Sequence, residues 1–510
     1  MSATPLARNA FIVGLGNVGS RVLGLVRELV IAGLFGATAP TDAFRVAFRV
    51  PLTLYELLVG GMISAALVPV FSAYLADGRQ RELARLWGGL AGLFLLVVAG
   101  LIVMLSLLAG PLMALMAAGY EEPVRVQSAE LLRVLLPVLA FMGLSGLATA
   151  LLYARQQFGP PALAITMFNF GIILVALLFH EHTGVMSLAL GVLAGGALQL
   201  AVQAGGVRGL GSWPTIALFH PGTREVVRLY LPVALGLAVS TVGILIDTNL
   251  ASRTGEGSLA AMGFATTLVQ LPLGLLAGVG SAALPVLSRH SGEAYRSSLV
   301  LSLRLVLLAI VPATIGLVLL RTPIIRLLFQ RGAFDAVATQ RTAQAFLAYS
   351  PGLPAAGLDQ VLIQGYYARR QTLTPVLVGV VSVGVYLIVA LALLGPMGMP
   401  GLALANSAQW TGHLAIMLFL THRAIGGLGG HGLGQTAVHA VAATAAIGAL
   451  LSWADVLMPA EPIQDTLPLA LYVSALVGAL VAIYLGILAV SAREDFRLLM
   501  SALRRQRVAQ

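Results

Sequence analysis

Residues 9–35 read NAFIVGLGNVGSRVLGLVRELVIAGLF. As a helix the run is long enough to cross the roughly 30 Å hydrocarbon core of a bilayer, yet it carries Arg21, Arg27 and Glu28. A charge at the bilayer centre costs at least about 2.5–3.5 kcal/mol, so these three must face protein or a wet cavity and serve a purpose.

Composition agrees with a membrane-spanning reading. Of 510 residues 58% are hydrophobic and only 10% charged, and the mean hydropathy is +0.94. Those values lie outside the range of soluble domains and define an all-α polytopic membrane protein. There is no cysteine, which excludes disulfides and thiolate metal sites. Every basic residue is arginine, so any anion contact is made by a planar guanidinium fork. Only Arg8 precedes the first apolar run, which is too long for a signal-peptide core and is kept as the first span.

Fourteen apolar windows of spanning length follow one another, near 9–35, 44–75, 86–117, 130–154, 160–179, 184–205, 227–251, 259–287, 298–320, 343–367, 374–395, 400–421, 435–457 and 467–490. With both termini in the cytoplasm, arginines such as Arg79, Arg81, Arg85, Arg155, Arg369 and Arg370 fall on the inner side. Glu121, Glu122, Glu181, Asp455, Glu461 and Asp465 fall outside. This is the positive-inside pattern, so the net charge of +10 reads as topology and not as nucleic-acid binding.

The chain repeats itself. SAALVPVFS at 64–72 returns as SAALPVLS at 281–288, LLAGPLMAL at 107–115 as LLRTPIIRL at 319–327, and YARQQFGPPAL at 153–163 as YARRQTLTPVL at 367–377. Three matches in one order at nearly one offset mark a duplication. The repeat predicts two six-helix lobes related by a pseudo-twofold along the membrane normal, with two extra C-terminal helices. The expected divisions are 1–206 for the first lobe, 207–226 for an interlobe linker, 227–423 for the second lobe, 424–434 for a Gly-rich linker, 435–491 for helices 13 and 14, and 492–510 for a basic cytoplasmic tail.

GLGNVG at 14–19 matches a dinucleotide fingerprint, but it lies within a spanning helix and lacks the required strand, so its small residues are assigned to close helix packing. His180, Glu181 and His182 read as a solvated loop without a third metal ligand. No phosphate-binding loop and no nucleophile with a base can be assembled, so the chain is not expected to be an enzyme, to hold a cofactor or to carry catalytic residues.

The charged residues of the first two windows form the candidate site. Arg21 and Glu28 lie seven residues apart, on nearly one helix face, and Arg27 points off that line toward a neighbour or a cavity. The second window adds Asp42, Arg45, Arg49 and Glu56 at helical spacings. Mutual neutralisation is the plain alternative, with Asp42 also serving the first turn of its own helix. Asp247 and Asp359 stand alone in spans 7 and 10, where each is protonated, hydrogen-bonded or part of a cation site.

SRVLGLVRELVIAGLFGATAPTDAFRVAFRVP from Ser20, SAALVPVFSAY from Ser64, and LLFQRGAFDAVATQRTAQAFLAYSPGLPAAGLDQVLIQGYYARRQTLTP from Leu327 resemble the MurJ (MviN) lipid II flippases, within the multidrug/oligosaccharidyl-lipid/polysaccharide exporter superfamily. The resemblance implies a fourteen-helix inner-membrane protein with alternating access around a cationic cavity. Its substrate would be the undecaprenyl-pyrophosphate-linked peptidoglycan precursor, its other contacts membrane lipid and cell-wall synthesis proteins, and the two extra helices would form a groove for the lipid tail. It places Arg21, Arg27, Glu28, Asp42 and Arg49 around the headgroup, and the helical spacing of the second window adds Arg45 and Glu56 to that candidate set. It also implies a cation site at Asp247 with Asn406 and Ser407, so that a monovalent cation or the membrane potential drives transport. The chain departs from the family at Tyr55 and Glu56, at Thr267 and at Gln360, where basic residues are usual, and at Tyr386 and Ala390, where polar ligands are expected. A flippase for another polyprenyl-pyrophosphate glycan, or a non-transporting scaffold, are the alternative readings.

Overall fold

A computed structural model describes residues 3–208, 215, 220–429, 432–453 and 465–508. Asp455, Glu461 and part of the expected interlobe linker lie outside the described residues. No strand occurs among the described residues and 89% of the structure is helical, which makes the class all-α.

The chain forms two compact units, Met1–Ala260 with Arg331–Phe334, and Ala261–Gln330 with Asp335–Gln510. In the first, α1 (Ala3–Phe35) is followed by α2 (Ala39–Tyr55), which runs through two π-helical turns, Glu56–Gly60 and Ile63–Leu67, into α3 (Val68–Ala76). Then come α4 (Gln80–Leu107), α5 (Ala109–Met116), α6 (Glu122–Leu135), α7 (Val138–Ala154), α8 (Gly159–Thr183), α9 (Met186–Arg208) and α10 (Pro221–Ser252). Helix α11 (Ser258–Arg289) begins in this unit and continues in the second. The second unit goes on with α12 (Gly292–Leu319), α13 (Arg321–Phe329), α14 (Ala336–Tyr349), α15 (Leu353–Ala368), α16 (Leu373–Met397), α17 (Met399–Ala424), α18 (Leu433–Trp453), α19 (Thr466–Ser491) and α20 (Arg493–Val508).

All fourteen sequence windows fall on helices, the thirteenth as far as Trp453. Among the described residues, seven helices are long and apolar enough to cross a membrane, or eight if α6 and α7, bent by 42°, count as one span. The breaks have a backbone cause. Between α4 and α5 and between α12 and α13, Pro111 and Pro323 lack the N–H that would bond four residues back, and the preceding helices end at those carbonyls, Leu107 and Leu319.

The repeat reaches the backbone itself. Gln156 and Arg370, at equivalent places after YAR, both adopt the left-handed conformation, with φ of 58° and 60°. At both places the chain turns back on the last helical carbonyls. Gln157 N–H bonds Leu152 O at 2.8 Å, and Gln371 N–H bonds Tyr366 O at 2.9 Å. A non-glycine residue there costs roughly 1–2 kcal/mol. The following helices also end alike, on Gly184 at φ 55° and Gly398 at φ 59°.

Helix α10, which the repeat counts with the second half, packs against α3, α4, α5 and the π-helical turns of the first unit. Close approach of small residues organises the first unit, as expected where lipid removes most of the hydrophobic drive between helices. A Cβ on Gly171 of α8 would lie 2.5 Å from Gly195 Cα of α9, and one on Gly16 of α1 would lie 2.4 Å from Ala162 Cβ of α8. The GLGNVG segment therefore packs one helix on another, in agreement with its sequence reading. At the far end of α1, Gly36 has φ 65°, and a Cβ there would meet Ala333 O at 2.3 Å, so the 331–334 loop seats on a position open only to glycine.

The last segment is a helix tied down near its start, where Glu494 pairs with Arg304 at 2.9 Å beside the more deeply buried Asp495. Asp495, 2% exposed, accepts bonds from Arg304 Nη2 of α12 at 2.8 Å and from Thr436 Oγ1 of α18 at 2.6 Å, and lies 2.8 Å from His439 Nδ1 of α18. Burial pushes this carboxyl up, but the bonds from Arg304, Thr436 and His439 outweigh burial and hold it below the usual carboxylate range.

Candidate functional site

Glu28 stands at the centre of the first unit's charged cluster. It is buried in α1, and each of its oxygens meets a different arginine: Arg27 Nη2 donates to Oε1 at 2.8 Å and Arg45 Nη2 of α2 donates to Oε2 at 2.7 Å. The second arm of Arg27, Nη1, donates to Asn169 Oδ1 of α8 at 2.9 Å. Asn169 is itself buried, and its amide nitrogen turns to the carbonyls of Ile165 at 3.2 Å and Ser20 at 3.4 Å. One carboxylate thus orients two guanidinium forks, and a third helix fixes the rotation of one of them. Both arginines keep partial exposure, with side chains 26% and 20% accessible.

Asp42 lies apart from this bridge. It is fully buried and accepts from Tyr120 Oη at 2.8 Å, Gly257 N–H at 2.6 Å and Ala260 N–H at 2.6 Å. It therefore caps the start of α11, where unpaired backbone N–H groups and the helix dipole favour an anion. Asp42 does lie in the first turn of its own helix, as the sequence reading had it, but its carboxylate oxygens are spent on a helix that begins more than two hundred residues later. Arg21 is exposed and Arg49 half-buried, and neither guanidinium makes an ion pair among the described residues. Glu56, also exposed, opens the first π-helical turn.

Asp247 is half-buried in the first unit, whereas Asn406 and Ser407 belong to the second. The Ser407 hydroxyl donates to the carbonyls of Ala348 and Tyr349, at 2.8 and 2.9 Å, and Asn406 Nδ2 to Leu402 O at 3.2 Å. No group of three or more acidic, histidine or cysteine ligands occurs among the described residues. Asp359, the other lone acid of the sequence, has a partner after all in His413 of α17, with Nδ1 2.9 Å from Oδ2.

Sequence reasoning missed Asn169, Tyr120 and His413. Each is one polar group in an apolar run, a signal that says a partner is needed without saying which one.

Membrane-length apolar helices around a bridge of two arginines and a carboxylate define a class, the polytopic helical membrane proteins that hold buried charge in paired form. The comparisons place the chain more narrowly. A solved structure described as lipid II flippase MurJ in an inward closed conformation superposes with a TM-score of 0.81, at 22% identity, over 95% of this chain and 99% of that one. An inward-facing multidrug resistance MATE transporter of the MOP superfamily gives 0.66 at 14% identity, over 80% and 95%. The profile of the family "Lipid II flippase MurJ" matches residues 31–473. The lipid II flippase MurJ of Burkholderia cenocepacia is 32% identical over 397 residues, 73% of this chain and 75% of that protein. A probable lipid II flippase MurJ of Rhizobium meliloti is 30% identical over 508 residues, 94% and 93% of the two chains. The chain belongs to the lipid II flippase MurJ family.

Proposed function

We propose that this protein is a lipid II flippase, which moves the polyprenyl-pyrophosphate-linked peptidoglycan precursor from the inner to the outer leaflet by alternating access. It is a transporter and not an enzyme. Beyond the family match, the observation that carries this reading is the Glu28 bridge. Arginine forks bind the oxygens of a pyrophosphate bidentately, and a carboxylate that fixes their orientation lowers the cost of binding. Arg27 and Arg45 supply the oriented forks, Arg21 and Arg49 the additional positive charge. Asp42 acts from its cap on α11, and Glu56 lies further along the second span.

The finer architecture belongs to the same proposal: fourteen spans, two six-helix lobes about an axis along the membrane normal, two further helices, and both termini in the cytoplasm. The left-handed turns at Gln156 and Arg370, and the arginine bias of one set of loops, support it. Coupling to a monovalent cation at Asp247, Asn406 and Ser407, or to the membrane potential, is proposed on the family resemblance, as are contacts with cell-wall synthesis proteins. Tyr55, Glu56, Thr267 and Gln360, where the family usually carries basic residues, favour a second reading in which the glycan differs.

The test is a strain depleted of its own flippase and complemented with this chain, in which the lipid-linked precursor accumulating on the inner leaflet is identified. Rescue with clearance of lipid II supports the proposal. Clearance of a different polyprenyl-linked glycan selects the second reading, and normal membrane abundance with no clearance removes both.

A further inference from the structure

Within the second unit, three helices meet at one imidazole. His413 of α17 lies with Nδ1 2.9 Å from Asp359 Oδ2 of α15, an ion-pair contact whose N–H direction falls short of strict hydrogen-bond alignment. On the other side of the ring, Nε2 lies 3.4 Å from Pro375 O in the first turn of α16. A carbonyl oxygen can only accept, so the ring donates through Nε2. In a neutral imidazole that assignment leaves a lone pair on Nδ1, directed at a carboxylate oxygen 2.9 Å away. Two acceptors facing two ring nitrogens suit the doubly protonated ring, or a ring whose neighbouring carboxyl holds the proton instead. One proton beyond a neutral imidazole and an ionised carboxylate is what lets both ring contacts be donated at once.

We propose that His413 and Asp359 form a proton-binding site whose occupancy sets the packing of α15 and α16 against α17. The surroundings favour the proton over a larger cation. Both side chains are largely buried, 12% and 15% accessible, and Asp359 Oδ1 is buried with no hydrogen-bond partner among the described residues. A protonated pair is neutral overall, whereas loss of the proton leaves an uncompensated negative charge inside an apolar helix bundle.

The titratable neighbours are accounted for. On α12, Tyr295 donates to Gly365 O, Arg296 to Gly429 O, and Arg304 to Glu494 and Asp495; Glu293 pairs with Arg296. On α14, Tyr349 stacks on Trp410, and Arg341 has partners of its own. At the junction of α15 and α16, Arg369 lies over the Tyr295 ring and Arg370 follows it, and the remaining ionisable groups of these helices are Tyr366 and Tyr367 of α15, Tyr386 of α16, and His422 and Arg423 of α17. Among the described residues, Asp359 is the charged group in ion-pair contact with His413. Release of the proton turns the Nδ1 contact repulsive and loosens the tie among the three helices.

The full-length protein in lipid nanodiscs, labelled with 15N-histidine, tests this without any lipid II, so failure of the flippase reading leaves the result intact. The His413→Gln variant assigns the resonance. The expected result is a ring with both nitrogens protonated at neutral pH, whose proton affinity falls roughly tenfold or more in Asp359→Asn, as removal of a carboxylate at this distance requires. In parallel, hydrogen exchange of the α16 first turn, corrected for intrinsic rates, rises several-fold as the wild-type site loses its proton and stays independent of pH in His413→Gln. If that variant does not fold, the Asp359→Asn titration and the wild-type exchange decide alone. A ring that stays neutral from pH 5 to 8, a titration unchanged by Asp359→Asn, or exchange that ignores the proton overturns the proposal.

Discussion

Arg45 Nη2 meets Glu28 Oε2 at 2.7 Å and ties α2 to α1. Because Arg27 holds the other oxygen of the same carboxylate, Glu28 serves two cations, and removing it uncovers both. Breaking a buried ion pair from one side costs about 3–5 kcal/mol. Glu28→Gln is therefore expected to lower thermal stability in detergent by that order. Adding Arg27→Ala restores only part of the loss, since Arg45 remains without its carboxylate. A double-mutant cycle measures the coupling, and full restoration by Arg27→Ala alone contradicts the double bridge.

Arg21 separates binding from folding. It is exposed and has no ion pair among the described residues, so Arg21→Ala should change stability by less than about 0.5 kcal/mol while abolishing complementation of a flippase-depleted strain. Arg21→Lys retains the charge but not the bidentate fork, and an intermediate growth defect is expected at unchanged membrane abundance. Wild-type growth with lysine counts against recognition by a fork.

Gly171 and Gly195 bring α8 and α9 into backbone contact. Gly171→Ala places a methyl group 2.5 Å from Gly195 Cα and should destabilise by roughly 1–3 kcal/mol, with Gly171→Leu worse. Gly14, where a Cβ would meet nothing within 4 Å, is the control: Gly14→Ala should be neutral or slightly stabilising, because alanine is the better helix former by about 1 kcal/mol. Melting curves of the purified variants compare the two sites.

Asp495 gives the C-terminal helix a pH dependence of known sign. Its carboxyl is held below the ordinary range by Arg304, Thr436 and His439 against the upward push of burial. A depressed folded-state value means that the contribution is present above the unfolded value, about 3.9, and is lost as pH falls through the folded one. Helix α20 should stay docked at neutral pH and become protease-sensitive only below about pH 4. Asp495→Asn should expose it already at pH 7, and a protease-resistant α20 in that variant removes the carboxylate from this role.

Some of these features were legible in the chain itself. Apolar windows of spanning length name the helices because every backbone polar group in lipid must be satisfied within its own segment. The two YAR segments are alike in sequence, and each is followed by a left-handed turn, at Gln156 and Arg370. The cost of charge in hydrocarbon marked Arg27, Glu28, Asp42, Arg45 and Asp359 as residues in need of partners. Their identities were not legible. Asn169 for Arg27, Tyr120 and the start of α11 for Asp42, and His413 for Asp359 lie far away in sequence. Which side chains meet depends on how each helix is rotated and how closely its neighbour approaches, and those are set by packing at small residues such as Gly16 and Gly171. Sequence by itself determined that these charges must face protein or a wet cavity, because exposure to lipid is too costly. Only the tertiary structure decided the pairs, because contact between helices is a property of their packed surfaces and not of either helix alone.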